Sequence, residues 1–293
     1  MTTIALITDL KQPGLTRSDR LLVAPLQARG VTAVPVPWDA PHVDWHAYDA
    51  LVLRSCWEYH HQAAHFQSWV EWLREQHIPL WNPAPVVLWN MDKHYLRHLA
   101  DRNVPIVPTV WLAQGDAPDL AAVLDSRGWT QAVVKPCISA SAHDTWRTTR
   151  AAAAQNQQRF TTMLAGQSLM VQKLMPEIEQ GEWSLIFLAG AYSHAILKRP
   201  AVGDIFVQEH LGGSSVGANA GKGIIKQAAN ILRQAELHTG HAVLYARVDG
   251  VLVNGRLTLM ELELIEPDLF LAEDPLAASR FAQAITTAVA AGL

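Results

Sequence analysis

Arg247, Asp249, Glu261 and Glu263 stand at alternate positions in an otherwise largely apolar stretch, YARVDGVLVNGRLTLMELELIEP. Two β-type runs flank Asn254-Gly255, a strong hairpin signal. A period of two puts Glu261 and Glu263 on one strand face. Their neighbours Leu257, Leu259, Met260, Leu262 and Leu264 read as buried on both faces. Carboxylates on a buried face are costly without a cation. Mg²⁺ suits them, because it takes one or two carboxylates together with substrate phosphates. Asp249, Glu261 and Glu263 are therefore the metal candidates, with Arg247 beside them to neutralise a phosphoryl group. The competing reading is an edge hairpin whose acids face water.

Register decides whether these groups meet. A strict two-residue turn at Asn254-Gly255 pairs Asp249 with Met260 and turns it away from Glu261. A three-residue loop, with Gly255 in the left-handed region, pairs Arg247 with Glu261 and Asp249 with Leu259. All four polar groups then share a face. The sequence predicts that loop or an equivalent bulge.

Other segments offer cations and small-residue loops. Lys93 follows the helix-cap candidate Asp92, and Lys135 ends the run AVVKP. Together they could converge on one polyphosphate, while each alone also reads as a surface residue. Lys135 has its stem in apolar surroundings, so its charge wants a partner. Ser139-Ala140-Ser141-Ala142 could let backbone N–H groups approach a phosphate, or form an ordinary turn. It is not a Walker A loop, since no GxxxxGK[ST] occurs. Gln172-Lys173-Leu174-Met175 could offer backbone to a purine edge, with Glu182 beyond it for ribose hydroxyls; a domain linker is the alternative. Lys198-Arg199-Pro200 suits an anion site or an exposed basic corner. Arg54, Ser55, Trp57, Glu58 and Tyr59 follow a buried strand, where ligands bind in open α/β sheets. They are the substrate-binding candidates. Cys56 reads as a structural or lining residue, because no base is placed beside it.

The elements that must position these groups alternate first as β-α-β-α. Strands are expected at 4–8, 31–36 and 50–54, helices at 18–29 and 61–76, and a short strand and turn at 79–83. That pattern implies a parallel sheet. Next come a helix at 92–102, an extended run at 105–112, a helix at 118–127, a hairpin from 131–136 and 144–149, and a helix at 151–164. Strands at 169–174, 182–189 and 191–198 follow, then a mobile Gly/Ser/Ala loop at 211–223. A helix to 238, the hairpin and a helix at 275–290 close the chain. The expected domains are 1–88, 89–170 and 171–293.

The 293 residues carry a net charge of −4 and no basic run, so a nucleic-acid or anionic-membrane partner has no electrostatic support. No apolar stretch approaches a membrane span. MTTIALITDL lacks the cationic start of a signal peptide. Cys56 and Cys137 give neither a disulfide framework nor zinc-ligand spacing. The expectation is a cytoplasmic protein, and self-association into a homo-oligomer is compatible with the sequence.

The ordered set resembles the ATP-grasp superfamily over about residues 80–270. It runs Lys93, Lys135 before a small-residue loop, VQKLM, Gly181-Glu182, Arg247-Val-Asp249 and Glu261-Leu-Glu263. The resemblance implies an α/β fold, α+β in its C-terminal lobes, with residues 1–88 as the parallel-sheet domain that precedes the ATP-grasp lobes. It implies ATP and Mg²⁺ as cofactors. Lys93, Lys135, Ser139 and Ser141 would hold phosphates. Gln172, Lys173 and Met175 would surround adenine, and Glu182 would take the ribose. Asp249, Glu261 and Glu263 would carry Mg²⁺. Arg247, Lys198 and Arg199 would face the transferring phosphoryl group. The family pattern ends in Glu-x-Asn before Pro-Gly, whereas here Glu263 and Leu-Ile-Glu266-Pro267 follow. Glu266 is then either a third metal ligand or a substrate contact. The phosphate loop also lacks glycine.

LRSCWEYH, WNPAPVVLWNMDKHYL, VPTVWL, KRPAVGDIFVQEHLGG and LMELELIEPDLFL are similar to stretches of O-ureido-serine cyclo-ligases, which make D-cycloserine. That implies an amino-acid-like small-molecule substrate, activated as an acyl phosphate and closed by its own nitrogen. The rival readings are an intermolecular carboxylate–amine ligase and an ATP-binding module without turnover.

Overall fold

The computed structural model describes residues 2–204, 206–207 and 211–291. Ile205 and Gln208-Glu209-His210, within KRPAVGDIFVQEHLGG, lie outside the described residues.

The first sheet is parallel. Its strands are β1 (Thr2–Thr8), β2 (Val31–Pro37), β3 (Ala50–Leu53) and β4 (Leu80–Trp81), in the order β2-β1-β3-β4. The helix expected at 18–29 is split into a 3₁₀ turn, Asp19–Leu22, and α1, Val23–Gln27. Pro25, which has no N–H to give, falls in the first turn of α1, where none is needed. Helix α2 (Ala63–Glu75) buries Phe66, Trp69, Val70 and Leu73. That is the spacing of one apolar helical stripe. Helix α3 (Ala84–Asn90) occupies a stretch to which the sequence reading assigns no element. Pro83 and Pro85 preset the backbone of its first turn. Helix α4 (Tyr95–Ala100) is shorter than expected, and Asp92 accepts the His94 N–H at 2.9 Å before it.

The second sheet is antiparallel, in the order β5-β8-β6-β7. Its strands are β5 (Thr109–Leu112), β6 (Gln131–Pro136), β7 (Trp146–Thr149) and β8 (Leu169–Lys173). Helices α5 (Leu120–Asp125) and α6 (Ala153–Gly166) cover it, with Leu124, Val134, Phe160 and Val171 in the core between them.

The third sheet runs β11-β10-β9-β12-β13, all antiparallel. It comprises β9 (Glu182–Leu188), β10 (Ala191–Arg199), β11 (Ser214–Ala218), β12 (Tyr245–Val253) and β13 (Arg256–Glu263). Strand β11 corrects the expected loop at 211–223. The edge of β10 offers a row of backbone partners, and the small side chains of 212–217 let the chain lie close. A Cβ on Gly213 would stand 2.2 Å from the Val207 carbonyl oxygen. Helix α7 (Lys222–Thr239) packs Ile231 and Leu232 with Leu185, Phe187 and Val248. Helix α8 (Ala277–Ala290) packs Phe281 and Ile285 with Ile186, Leu188 and Tyr245. The alternation along β9 thus feeds a core on each face. Among the described residues no helix is long and apolar enough to cross a membrane.

Buried amides brace the hairpin against the first lobe. Asn82 donates to the Tyr245 and Leu264 carbonyls at 2.9 and 2.8 Å and accepts the Leu244 N–H at 2.7 Å. Asn90 brackets Leu262 and Leu264 in the same way, each at 2.9 Å. Each amide satisfies a stretch of backbone that would otherwise be buried without partners.

Candidate active site

The hairpin turn has two residues, not three. Val253 pairs with Arg256, and Asn254 and Gly255 both adopt positive φ, 51° and 76°. This is the tight turn that the Asn-Gly dipeptide favours. The surplus residue is absorbed farther along the strand. Gly250 pairs with Leu259 and Asp249 with Glu261, leaving Met260 as the bulge. The expected pairs Arg247–Glu261 and Asp249–Leu259 are therefore replaced by Arg247–Glu263 and Asp249–Glu261. The four polar groups still share a face, because a bulge restores the parity that the turn loses.

Arg247 Nε donates to both oxygens of Asp249, at 3.1 and 3.0 Å, and Nη1 to the Asp268 carbonyl at 2.9 Å. Its Nη2 meets Glu263. Lys198 Nζ reaches Glu182 at 3.2 Å and Asp249 at 3.3 Å. Ser184 Oγ donates to Asp249 at 2.5 Å. Burial pushes the Asp249 pKa up, but Arg247 and Lys198 outweigh it and hold the carboxyl below its ordinary value. Glu182 goes the other way: burial raises it despite Lys198.

Lys93 lies across the cavity, 2.5 Å from the Ser139 carbonyl oxygen and 3.3 Å from Glu261. Burial would raise the Glu261 pKa, and Lys93 and Lys135 pull it below normal. Burial lowers the Lys135 ammonium, an effect that Glu261 opposes and Lys93 reinforces. Farther along, burial pushes Glu263 up to about 7 against the pull of Arg247, with Asp249 and Glu261 adding to the rise. Burial and then Glu263 push Glu266 up to about 8.

The donor set fits Mg²⁺. Glu261, Glu263 and Glu266 put carboxylate oxygens on the cavity wall. Burial is the main reason that Glu263 and Glu266 are raised, with neighbouring carboxylates adding to it, and a bound cation would offset both effects. Asp249 fits less well as a ligand, because Arg247, Ser184 and Lys198 already occupy its oxygens.

One cavity of about 1000 Å³ collects most of the expected residues. Lys93, Lys135, Ser139, Ser141, Gln172, Lys173, Met175, Glu182, Lys198, Arg247, Asp249, Glu261, Glu263, Glu266, Trp57 and Tyr59 all line it. Four others do not. Arg54 is 1% exposed, with Asp19 at 2.9 Å, the Pro267 carbonyl at 2.9 Å, and the rings of Tyr245 and Phe281 beneath it. It is a buried structural cation. Ser55 is buried away from the cavity, Glu58 pairs with Lys11 at 2.9 Å, and Arg199 points to solvent. Strand alternation explains Arg199: its neighbour Lys198 takes the inner face. The Lys173 and Leu174 N–H groups are taken by the Pro108 and Gln131 carbonyls at 2.9 and 3.2 Å, so neither is available to a purine.

Sequence reasoning missed several residues of the site. Ser184 stands two positions after Glu182, and the period of two could have found it. Thr16, Arg17 and Ser18 follow the carboxyl end of β1, where an open α/β sheet binds ligands. Phe270, under Arg247 and Lys198 at 5.7 and 5.8 Å, carried no signal.

Known structures share this architecture. D-alanine–D-alanine ligase from Bacillus anthracis superposes with a TM-score of 0.72 at 15% identity, covering 99% of this chain and 98% of that one. A RimK domain protein of the ATP-grasp fold from Sphaerobacter thermophilus matches with a TM-score of 0.70 at 16% identity, covering 97% and 100%. Fold and cleft together define an ATP-grasp ligase. A model of the D-cycloserine synthetase DcsG N-terminal domain matches residues 4–82. The cycloserine biosynthesis protein DcsG of Streptomyces lavendulae is 31% identical, over 96% of this chain and 97% of that protein. The crystal structure of D-cycloserine synthetase DcsG gives a TM-score of 0.88 at 30% identity, covering 98% and 99%. The chain belongs to the D-cycloserine synthetase DcsG family.

Proposed function

We propose that this protein is an ATP- and Mg²⁺-dependent ligase that closes an O-ureido-serine-like amino acid into a cycloserine-type ring. The observation that carries the reading is the convergence of Lys93, Lys135, Lys198 and Arg247 with the hairpin carboxylates in one cavity that Arg17, Trp57 and Tyr59 also line. The kinship with a cycloserine biosynthesis protein supports the substrate class. Residues 1–88 form the substrate side, and 89–170 and 171–293 clasp the nucleotide. Lys93, Lys135, Ser139 and Ser141 hold phosphates, and Gln172 and Met175 lie around the base. Glu261 and Glu263 carry Mg²⁺, and Glu266 faces metal or substrate. Bound Mg²⁺ would neutralise phosphate oxygens.

The substrate carboxylate attacks the γ-phosphorus, and the bond to the ADP oxygen breaks. Arg247 and Lys198 offset charge on the group in flight. The nitrogen attached to the side-chain oxygen then attacks the acyl carbon, and phosphate leaves. Water removes the carbamoyl group as carbon dioxide and ammonia. Holding both ends of one molecule supplies effective molarity. The cavity wall shields the acyl phosphate from water.

The test is ADP release with Mg·ATP across a panel of substrates, with products followed by mass spectrometry. O-Ureido-serine should give ADP and the cyclic product. ADP formed only from an acid with a separate amine would show intermolecular ligation. No substrate-dependent ADP in any arm would leave a nucleotide-binding module.

A further inference from the structure

We infer that His60, His61 and His143 form a site for a divalent transition metal of the zinc type, outside the cavity, joining the loop between β6 and β7 to the first lobe. His60 and His61 lie in the 3₁₀ turn Trp57–Gln62, and His143 lies in the distant loop that carries Ser139 and Ser141. One ring nitrogen from each falls within 4.8 Å of the others. The ring centroids are 3.9, 5.2 and 4.7 Å apart.

A second observation points to a ligand. His60 Nδ1 lies 2.8 Å from the Trp57 carbonyl oxygen. A carbonyl only accepts, so Nδ1 carries the proton and Nε2 carries a lone pair. That Nε2 is buried and has no hydrogen-bond partner. An imidazole fixed by a backbone carbonyl on one nitrogen, with the other free, is how proteins prepare a histidine for metal. The Glu58 carboxylate stands 3.7 Å from His61 Nε2, and Asp144 stands 3.4 Å from His143 Nε2. Both add negative charge around the trio.

Zinc bonds to nitrogen of about 2.0–2.1 Å require tetrahedral ligands roughly 3.3 Å apart. His61 and His143 are exposed, so their rings can make that adjustment. Three imidazoles select zinc, copper or nickel over Mg²⁺, which prefers oxygen. This separates the site chemically from the hairpin carboxylates. Trp57 and Tyr59, on either side of His60 in the chain, line the cavity, as do Ala140, Ser141 and Ala142 just before His143. A metal held here ties these two cavity-lining segments together. Among the described residues, the other cluster with metal-like spacing, Asp92, His94 and Cys137, is worse prepared. His94 Nδ1 is already on Asp92 at 2.6 Å, and burial pushes the Cys137 thiol up to about 12.

The test is zinc titration of the full chain in excess Mg²⁺, in competition with a chromogenic chelator, with amide exchange followed across 139–145. Wild type should bind about one equivalent, and His61→Asn and His143→Asn should weaken it about tenfold or more, with His94→Ala without effect. Zinc should slow exchange across 139–145 in wild type and not in His143→Asn. Melting of the metal-free variants at the wild-type temperature confirms that the exposed substitutions left the fold intact. Unchanged zinc affinity in both exposed variants, loss only in His94→Ala, or no zinc uptake by wild type would each overturn the inference.

Discussion

Asp249 lies directly opposite Glu261, although the turn between their strands has only two residues. The bulge at Met260 makes this possible, and it depends on Gly250, the residue where the register shifts. A Cβ there would stand 2.5 Å from the Thr258 carbonyl oxygen. Gly250→Ala must therefore push β13 away from β12. The expected cost is about 1–3 kcal/mol, the range for overpacking a dense core, with substrate-dependent phosphate release falling in parallel. Thermal unfolding and a phosphate assay read both. A variant that melts and turns over like wild type would show that the bulge does not set the site.

Glu261 faces Lys93 and Lys135, and its neighbour Asp249 is already occupied by Arg247, Ser184 and Lys198. Glu261 is thus the more available metal ligand. Glu261→Gln keeps the shape and removes the charge. Phosphate release should fall at least about a hundredfold, with ATP affinity changed only modestly and more Mg²⁺ needed for half-maximal rate. A rate near wild type at low Mg²⁺ would remove Glu261 from the metal site.

Arg54 was expected at the substrate, yet it is wholly enclosed by Asp19, two backbone carbonyls and two aromatic rings. Arg54→Met leaves Asp19 buried without its partner. Breaking a buried pair on one side costs about 3–5 kcal/mol, which chemical denaturation would register. If stability holds and only the KM of the amino-acid substrate rises, the structural assignment is wrong.

What the sequence showed and what it hid follow from local and non-local physics. The Arg247–Glu263 hairpin was legible because an Asn-Gly turn and a period of two are local signals. Its register was not, since the bulge reflects backbone contact between Gly250 and Thr258. Lys198 and Arg199 were equally basic in sequence, and only the direction of β10 separated them. Arg54 sat where open sheets place ligand contacts, and the acid that claimed it, Asp19, lies 35 positions away. Helix α3 was hidden because its short apolar, β-branched run is buried on two sides, Val87 in the first-lobe core and Val86 against the later lobes.

Metal-free protein should lose stability as pH rises from 7 to 8.5. Glu263 and Glu266 are held near 7 and 8, above the ordinary 4.5. The folded chain then binds more protons than the unfolded chain between about 4.5 and 8. Stability present below that window is lost as pH climbs through the folded values. His60, His194 and His238 are lowered from 6.5, chiefly by burial, and act in the opposite sense only below that pH. Asp249 and Glu261 are lowered, so their contribution is lost only as pH falls through the acid range. Melting curves without metal should shift down by a few degrees, Glu266→Gln should flatten the shift, and Mg²⁺ should oppose it. A melting temperature that rises over this window without metal would contradict the assignment.

Arg17 offers the clearest separation of substrate from nucleotide. It lines the cavity on the side of the first lobe and makes no ion pair among the described residues. Its neighbours tether the segment that carries it. Thr16 Oγ1 donates to Asp19 at 3.0 Å, and Ser18 Oγ accepts the Leu271 N–H at 3.0 Å. Arg17 is exposed and its guanidinium has no protein partner among the described residues, so it can present a planar fork to carboxylate or ureido oxygens. Arg17→Ala should therefore raise the KM of the amino-acid substrate roughly tenfold or more, with the KM of ATP and the melting temperature nearly unchanged. Arg17→Lys should recover only part of the loss, because an ammonium keeps the charge and loses the fork. Steady-state kinetics with each substrate varied in turn decides the point. Equal effects on both KM values would place Arg17 with the nucleotide, and no effect on either would remove it from the site.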